Sequence, residues 1–214
     1  MEENKNNRTE KSPSGDLGVG IINYGAGNIF SLTAALERKN ITYGMVNTVT
    51  DLDQYSHIII PGVGHAGAAM KKLERTGLVS AIKTLKKPVL GICVGMQLLT
   101  QHSEEGNTNL LNIIPLKTKI FNKDLNIKIP HMGWNNVTFK NNPLFENVPL
   151  DTQFYFVHSY FIEYNPTFDI AAVNYGNKFS AAIQKNNFYG VQFHPEKSGV
   201  AGEQLLKNFA NLNS

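Results

Sequence analysis

Val89-Leu90-Gly91-Ile92-Cys93-Val94-Gly95-Met96-Gln97 is the stretch that decides the fold. Pro88 to Ile92 is a continuously apolar run of strand length, and Val94 to Gln101 has the pattern of a helix. Between them stands the single cysteine of the chain, in a Gly-x-Cys-x-Gly frame. This is the thiol form of a nucleophile elbow. A strand that turns sharply into a helix holds its turn residue at strained backbone angles, which requires small neighbours; Gly91 and Gly95 supply the room. A helix starting at Val94 aims backbone N–H groups and a partial positive charge at the sulfur, which favours the thiolate. The Val94 N–H is placed to stabilise an oxyanion. Lone cysteines are most often buried packing residues; the strand-glycine-cysteine-glycine-helix context argues against that here.

Working outward, the N-terminal half alternates strands and helices. Leu17 to Ile22 reads as a buried strand ending in the glycine-rich turn Asn23-Tyr24-Gly25-Ala26-Gly27-Asn28. Ile29 to Lys39 follows as a helix with Leu32, Ala35 and Leu36 on one face. Residues 42–46 read as a strand, as does His57 to Ile60, which stops at Pro61-Gly62. Ala66 to Leu85 is helical in pattern with a break near Gly77. Strands that are apolar throughout, alternating with helices, predict a parallel sheet covered on both faces. Beyond residue 110 the pattern changes to shorter strands over 113–121, 136–139, 154–163, 169–175, 179–184 and 188–193. These predict mostly antiparallel pairing. Gly202 to Asn211 closes the chain as a helix. The expected fold is α/β: an open, mostly parallel central sheet flanked by helices, with additional antiparallel strands in the C-terminal half.

A thiol nucleophile needs a base. Of the six histidines, His57 begins an apolar strand and reads as structural, and His102 reads as a solvated residue on a polar helix end. His194 lies in Gly190-Val191-Gln192-Phe193-His194-Pro195-Glu196-Lys197, where a strand ends and Pro195 fixes the bend. That puts His194 at the carboxyl edge of the sheet, where sites in open α/β folds gather. Glu196, two positions on, is placed to orient the imidazole and fix its tautomer.

Together these residues resemble the class I (triad-type) glutamine amidotransferases, a fold of flavodoxin-like type, in the elbow at 91–97 and the segment 190–196. Asn23 to Asn28, Pro61-Gly62-Val63-Gly64, Pro130-His131-Met132-Gly133-Trp134-Asn135 and Tyr155-Phe156-Val157-His158-Ser159-Tyr160 narrow the resemblance to the glutaminase subunits of imidazole glycerol phosphate synthases, over roughly residues 17–210. The resemblance implies that Cys93 attacks the carboxamide of glutamine, that His194 carries protons and that Glu196 orients it. It implies an oxyanion hole from Val94 and the Val63–Gly64 segment, with Gly62, Gln97, Glu105, Ser159 and Tyr160 around the substrate. Adjacent Glu104 leaves the register at Glu105 open. It implies a (β/α)8-barrel cyclase partner that receives the ammonia, docked on Asn28, Pro130, Met132, Trp134, Tyr155 and Lys197. Glycines on either side of Val63 let that peptide turn over cheaply, and partner binding is expected to select the active orientation. Asn23 and Phe30 depart from the commonest pattern, where Asp and Arg are frequent. A different docking face, and a different ammonia acceptor such as a sugar amidinating system, is the alternative. A thiol peptidase of the same broad fold and a non-catalytic scaffold are the readings from other classes; the Gln97 and Pro-Gly-Val-Gly elements argue against the first, and an intact Cys93, His194 and Glu196 set against the second.

Bulk properties agree. The 214 residues, 42% hydrophobic, bury a core of one ordinary domain. A net charge of +3 spread over the chain gives no reason to expect a nucleic-acid partner. One cysteine excludes an internal disulfide. No zinc-ligand spacing and no phosphate loop occur, so neither metal nor cofactor is expected. Residues 1–16 are polar, lack the apolar core of a signal peptide, and read as a mobile tail before a single domain over 17–214. No apolar run approaches the length that spans a bilayer, and a cytoplasmic location is expected.

Overall fold

The computed structural model describes residues 18–122, 124 and 126–213; the expected tail over 1–16 lies outside them. Val19–Ile22 (β1), Ile29–Arg38 (α1), Tyr43–Val46 (β2), Val49–Leu52 (α2) and His57–Ile60 (β3) open the chain. Ala66–Arg75 (α3), Val79–Thr84 (α4), Val89–Ile92 (β4) and Val94–Leu98 (α5) complete the first half. His102–Ser103 (β5), Thr108–Asn109 (β6), Lys117–Ile120 (β7), His131–Asn136 (β8), Thr138–Phe139 (β9), Gln153–His158 (β10) and Tyr160–Ile162 (β11) follow. Asp169–Tyr175 (β12), Asn177–Lys185 (β13), Phe188–Val191 (β14) and Gly199–Ala210 (α6) end it, with 3-10 turns at Pro143–Phe145 and Pro195–Lys197.

The main sheet has eight strands in the order β2-β1-β3-β4-β14-β13-β12-β9. The first five run parallel and the last three pair antiparallel. Strands β1, β3, β4 and β14 are buried at every position, which is why they read as unbroken apolar runs. Their parallel direction brings four carboxyl ends to one edge: the loop after Ile22, Pro61–Gly64, Cys93 and His194. Helix α1 is capped by Asn28, whose side chain accepts from the Ser31 N–H at 3.3 Å, and it buries Leu32, Ala35 and Leu36. Each leucine so buried contributes about 1.5–3 kcal/mol.

A four-stranded sheet, β11-β7-β5-β6, and a two-stranded ribbon, β10-β8, stand at this carboxyl edge. An aromatic box holds them together. Phe121 stacks on Phe161 at 4.6 Å and meets Phe179 edge-on at 5.6 Å, while Phe156 stacks on His131 at 4.8 Å.

Several expectations need correction. Helix α5 ends at Leu98, not Gln101; the Thr100 hydroxyl turns back onto the Gln97 carbonyl at 2.8 Å and the chain leaves to form β5. His102 is therefore in a strand, bonded through Nε2 to Asn107 Oδ1 at 3.0 Å, not on a helix end. The strand expected over 113–121 begins only at Lys117, and 154–163 divides at Ser159, where the chain passes from the ribbon to the four-stranded sheet. Residues 131–136 form the long strand β8, and α6 starts at Gly199. The reading of His57 as structural needs no change: it is buried, its Nε2 against the Leu212 carbonyl at 2.9 Å.

Candidate active site

The turn at Cys93 has φ 53° and ψ −110°, a conformation that residues with a Cβ take only under constraint. The surroundings supply the constraint. A Cβ on Gly91 would meet the Gly95 carbonyl, one on Gly95 would collide with the Ile60 carbonyl, and one on Gly62 would lie 2.5 Å from the Gly95 nitrogen. The Cys93 N–H continues the ladder to the Val191 carbonyl at 2.8 Å. Strand β4, the elbow and the Pro61–Gly64 loop are thus wedged into one rigid unit.

Above the elbow opens a cavity of about 420 Å³ lined by Val63, Gly64, Cys93, Val94, Gln97, Glu105, Pro130, Val157, His158, Ser159, Tyr160, His194 and Lys197. Cys93 and His194, 101 positions apart in sequence, share its wall. His194 is 1% exposed, and its Nδ1 is 2.7 Å from Glu196 Oε1. Its main chain is gripped on both sides: the N–H donates to the Tyr155 carbonyl at 2.9 Å, and Ser198 Oγ donates to its carbonyl at 2.6 Å. With Nδ1 committed to Glu196, Nε2 is left without a hydrogen-bond partner among the described residues and within electrostatic reach of the sulfur. Burial opposes charge on the ring, but the Cys93 sulfur and the Glu196 carboxylate outweigh it and raise the His194 pKa to about 10. The imidazolium is the form held at neutral pH. Helix α5, with five residues, adds the N–H groups of its first turn to this field but little of a long helix's dipole.

The N–H groups of Val63, Gly64 and Val94 find no acceptor among the described residues, so they remain available to an anion. Gln97 is buried and gives its NH2 to the Tyr160 carbonyl and to Gln192 Oε1, both at 3.1 Å; only its Oε1 is left for a ligand. Glu105 lines the cavity while one carboxylate oxygen accepts from the Ala66 N–H at 2.5 Å. Glu104 is turned away, accepting from the Ile120 N–H at 2.8 Å. Ser159 and Tyr160 are on the wall, whereas Gly62 sits behind it, in a crevice with Asn28 and Glu196. Pro130 and Lys197 lie at the cavity, and Trp134 meets Tyr155 edge-on at 6.0 Å with Lys197 Nζ 5.7 Å over the Tyr155 ring. Met132 and Trp134 are 62% and 54% exposed.

Residues to which the sequence assigned no role of their own also converge here. Gln192 directs its amide at the sulfur at 3.7 Å. The Ser198 hydroxyl, besides holding His194, accepts from the Tyr155 N–H at 3.0 Å. The buried Tyr24 hydroxyl donates to the Pro61 carbonyl at 2.5 Å, and burial together with the sulfur's charge pushes its pKa up. His158 stands on the cavity wall, with His131 ring to ring behind it. The available signals were the motif segments in which Tyr24, His131, His158 and Gln192 stand, and the polarity of a glutamine inside the apolar run leading to His194.

Comparison with known proteins follows this geometry. Imidazole glycerol phosphate synthase subunit HisH of Haemophilus influenzae is 46% identical over 194 residues, covering 90% of this chain and 96% of the relative. The subunits of the same name from Pasteurella multocida and Bacteroides thetaiotaomicron are 45% and 44% identical, over 89% and 91% of this chain and 96% and 99% of the relatives. In fold the chain is similar to PurLQS from Thermotoga maritima, with TM-score 0.67 and 18% identity over 90% of this chain and 97% of that one. It is also similar to a solved glutamine amidotransferase with TM-score 0.70 and 15% identity over 91% and 99%. The family model described as glutamine amidotransferase class-I matches residues 20–212, and the chain belongs to the class-I glutamine amidotransferases.

Proposed function

We propose that this chain is the glutaminase subunit of an imidazole glycerol phosphate synthase, with Cys93 as nucleophile, His194 as proton carrier and Glu196 as its orienting carboxylate. The observation that carries the reading is a cysteine and a carboxylate-held histidine sharing one cavity, in a chain mid-40s per cent identical along nine-tenths of its length to HisH subunits.

The Cys93 thiolate attacks the side-chain carbonyl carbon of glutamine. The oxyanion forms against the Val94 N–H and an N–H of the Val63–Gly64 segment. His194 gives its proton to the leaving nitrogen, the C–N bond breaks, and ammonia departs from a glutamyl thioester. Neutral His194 then takes a proton from water, whose oxygen attacks the thioester. The C–S bond breaks with its electron pair on sulfur, and glutamate leaves. Glu105 and the Ser159–Tyr160 turn receive the amino-acid end of the substrate. The ammonia passes to a (β/α)8-barrel cyclase docked over Asn28, Pro130, Met132, Trp134, Tyr155 and Lys197. The same reading assigns the chain to the cytoplasm, where a lone thiol stays reduced.

The test is glutamate release from glutamine by the chain alone and with the cyclase subunit and its nucleotide ligand, with Cys93→Ala as blank. Release that rises about tenfold or more with the partner supports the assignment. Release that no cyclase alters, in a protein whose Cys93 still reacts with a glutamine-like electrophile, overturns the pathway and leaves the glutaminase chemistry.

A further inference from the structure

The buried amides beside the nucleophile have one self-consistent arrangement, and it ends on the sulfur. The Tyr160 carbonyl oxygen can only accept. It receives Gln97 Nε2 at 3.1 Å and His158 Nδ1 at 2.8 Å. Gln97 therefore turns its NH2 toward that carbonyl, and the same nitrogen donates at 3.1 Å to Gln192 Oε1. With its oxygen facing Gln97, Gln192 has its NH2 on the side of Cys93 Sγ, at 3.7 Å. Which end of a glutamine amide is nitrogen is ordinarily settled only by its network; here a main-chain carbonyl two links away settles it.

The same carbonyl sets two imidazoles. His158 donates from Nδ1, and burial keeps the ring neutral, so its Nε2 accepts from His131 Nδ1 at 3.0 Å. His131 Nε2 then faces Asn135 Nδ2 at 3.4 Å. Gln97 and Gln192 are 2% and 0% exposed, and polar groups so deeply buried are retained only with their donors used.

We propose that Gln192 is a catalytic residue whose carboxamide donates a hydrogen bond to the Cys93 thiolate, and that Gln97, the Tyr160 carbonyl and the His158–His131 pair are positioning groups that hold the amide that way round. The proposal rests on the reading of Cys93 as the nucleophile. A donor fixed in a dry site favours the anion over the neutral thiol. It acts together with the His194 imidazolium and adds to the N–H groups of the short α5. It also assists the second half of the reaction, because the sulfur regains its electron pair when the thioester C–S bond breaks. The donor is then already in place, without reorganisation.

The test is the pH dependence of Cys93 alkylation by iodoacetamide in the full chain, without substrate or partner, with Cys93→Ala as blank. The titratable groups around the sulfur are His194 with Glu196 behind it, Tyr24, and His158, Tyr160, Glu105 and Lys197 on the cavity wall; all are unchanged in the variants. Gln192→Met keeps the length without the donor and is expected to move the alkylation profile to higher pH, slowing the reaction at pH 6.5 by about tenfold. Gln192→Glu keeps the shape, presents an acceptor to the sulfur and is expected to slow it further. Wild-type profiles in both folded variants overturn the proposal. Should the variants fail to fold, the Gln192 side-chain amide resonance of the wild-type protein decides: it must move as the thiol loses its proton, and a resonance blind to that titration overturns the proposal. Alkylation needs no glutamine. A shifted profile without partner-stimulated glutamate release would keep the hydrogen bond and sink the glutaminase reading. An unshifted profile with normal release would do the reverse.

Discussion

Cys93 keeps its positive φ because, where Gly62, Gly91 and Gly95 carry no Cβ, neighbouring backbone packs too closely for the turn to relax. Gly95→Ala puts a methyl group into the Ile60 carbonyl oxygen, and backbone against backbone has no side chain to swing away. The expected cost is several kcal/mol, large against the total stability of an ordinary domain, read as a collapsed urea midpoint; a midpoint within experimental scatter of wild type would contradict the wedge. Glu196→Gln tests the other side of the site. The carboxylate is one of the two groups that raise His194 to about 10. Its loss lowers that value, so the proton donor is lost at lower pH as pH rises. The alkaline limb of the glutamate-release profile should move down, and turnover should fall by about two orders of magnitude or more. Unchanged turnover would remove Glu196 from the mechanism. Asp169 is a cost outside the site. It is buried with Oδ1 unpartnered, and burial raises its carboxyl to about 6. The native state holds a proton that the unfolded chain releases near 4, so stability falls as pH rises between about 4 and 6. Asp169→Asn should raise the unfolding free energy at pH 7.5, read from urea denaturation, by roughly 1–2 kcal/mol, and the gain should vanish below pH 4.

At the scale of elements, what could be read was what local chemistry decides. His57–Ile60 is apolar, buried throughout and stopped by proline, and it forms with the expected bounds. The break between α3 and α4 falls at Gly77, which has φ +73°. Strand β8 could not be read that way. His131-Met132-Gly133-Trp134-Asn135-Asn136 is weak in strand propensity, and it is a strand because it pairs along its whole length with β10. The division at Ser159 is a change of sheet, which leaves no mark on periodicity. The triad residues stood out because each sits in a compact motif. The parts played by Gln192 and the histidine pair, although these also lie in motif segments, were not legible, because no spacing reveals that positions 97, 131, 158, 160 and 192 meet. The ribbon has its own pH signature. Burial lowers His131 to about 4 and His158 to about 3. The unfolded chain takes up protons at these rings near 6.5 while the native one does not. Their contribution is therefore complete above about 6.5 and is lost as pH falls toward 4 and 3. Across that window a His131→Asn/His158→Asn double variant should show a flatter fall in urea midpoint than the wild type. Parallel slopes would mean that the pair is not held neutral.

At the scale of the whole molecule, the cavity, with Pro130 and Lys197 on its wall, lies beside an exposed aromatic strip. Trp134 and Tyr155 meet edge-on, Lys197 lies over the Tyr155 ring, and Met132 projects from the same strand face as Trp134. Nearby chain starts carry further apolar exposure: Phe30 on the first turn of α1 is 84% exposed and Val200 on the first turn of α6 is 79% exposed. Large apolar and aromatic groups gathered beside a site have the composition of an interface core, where truncating one anchor commonly costs 2 kcal/mol or about thirtyfold in affinity. The inward face of β8 carries His131 and the outward face carries Trp134, so the strand that would be pressed by a partner also holds the imidazole network behind Cys93. On the proposed function, Trp134→Ala should weaken binding of the cyclase partner by about thirtyfold and abolish stimulation of glutamate release at limiting partner. Saturating cyclase should restore it, because the inward network is untouched. Alkylation of Cys93 in the isolated chain should match the wild type. Isothermal titration with the cyclase and alkylation without it separate the two effects: an unchanged affinity would move the docking face elsewhere, and altered alkylation in the free chain would mean that Trp134 supports the site itself rather than the partner.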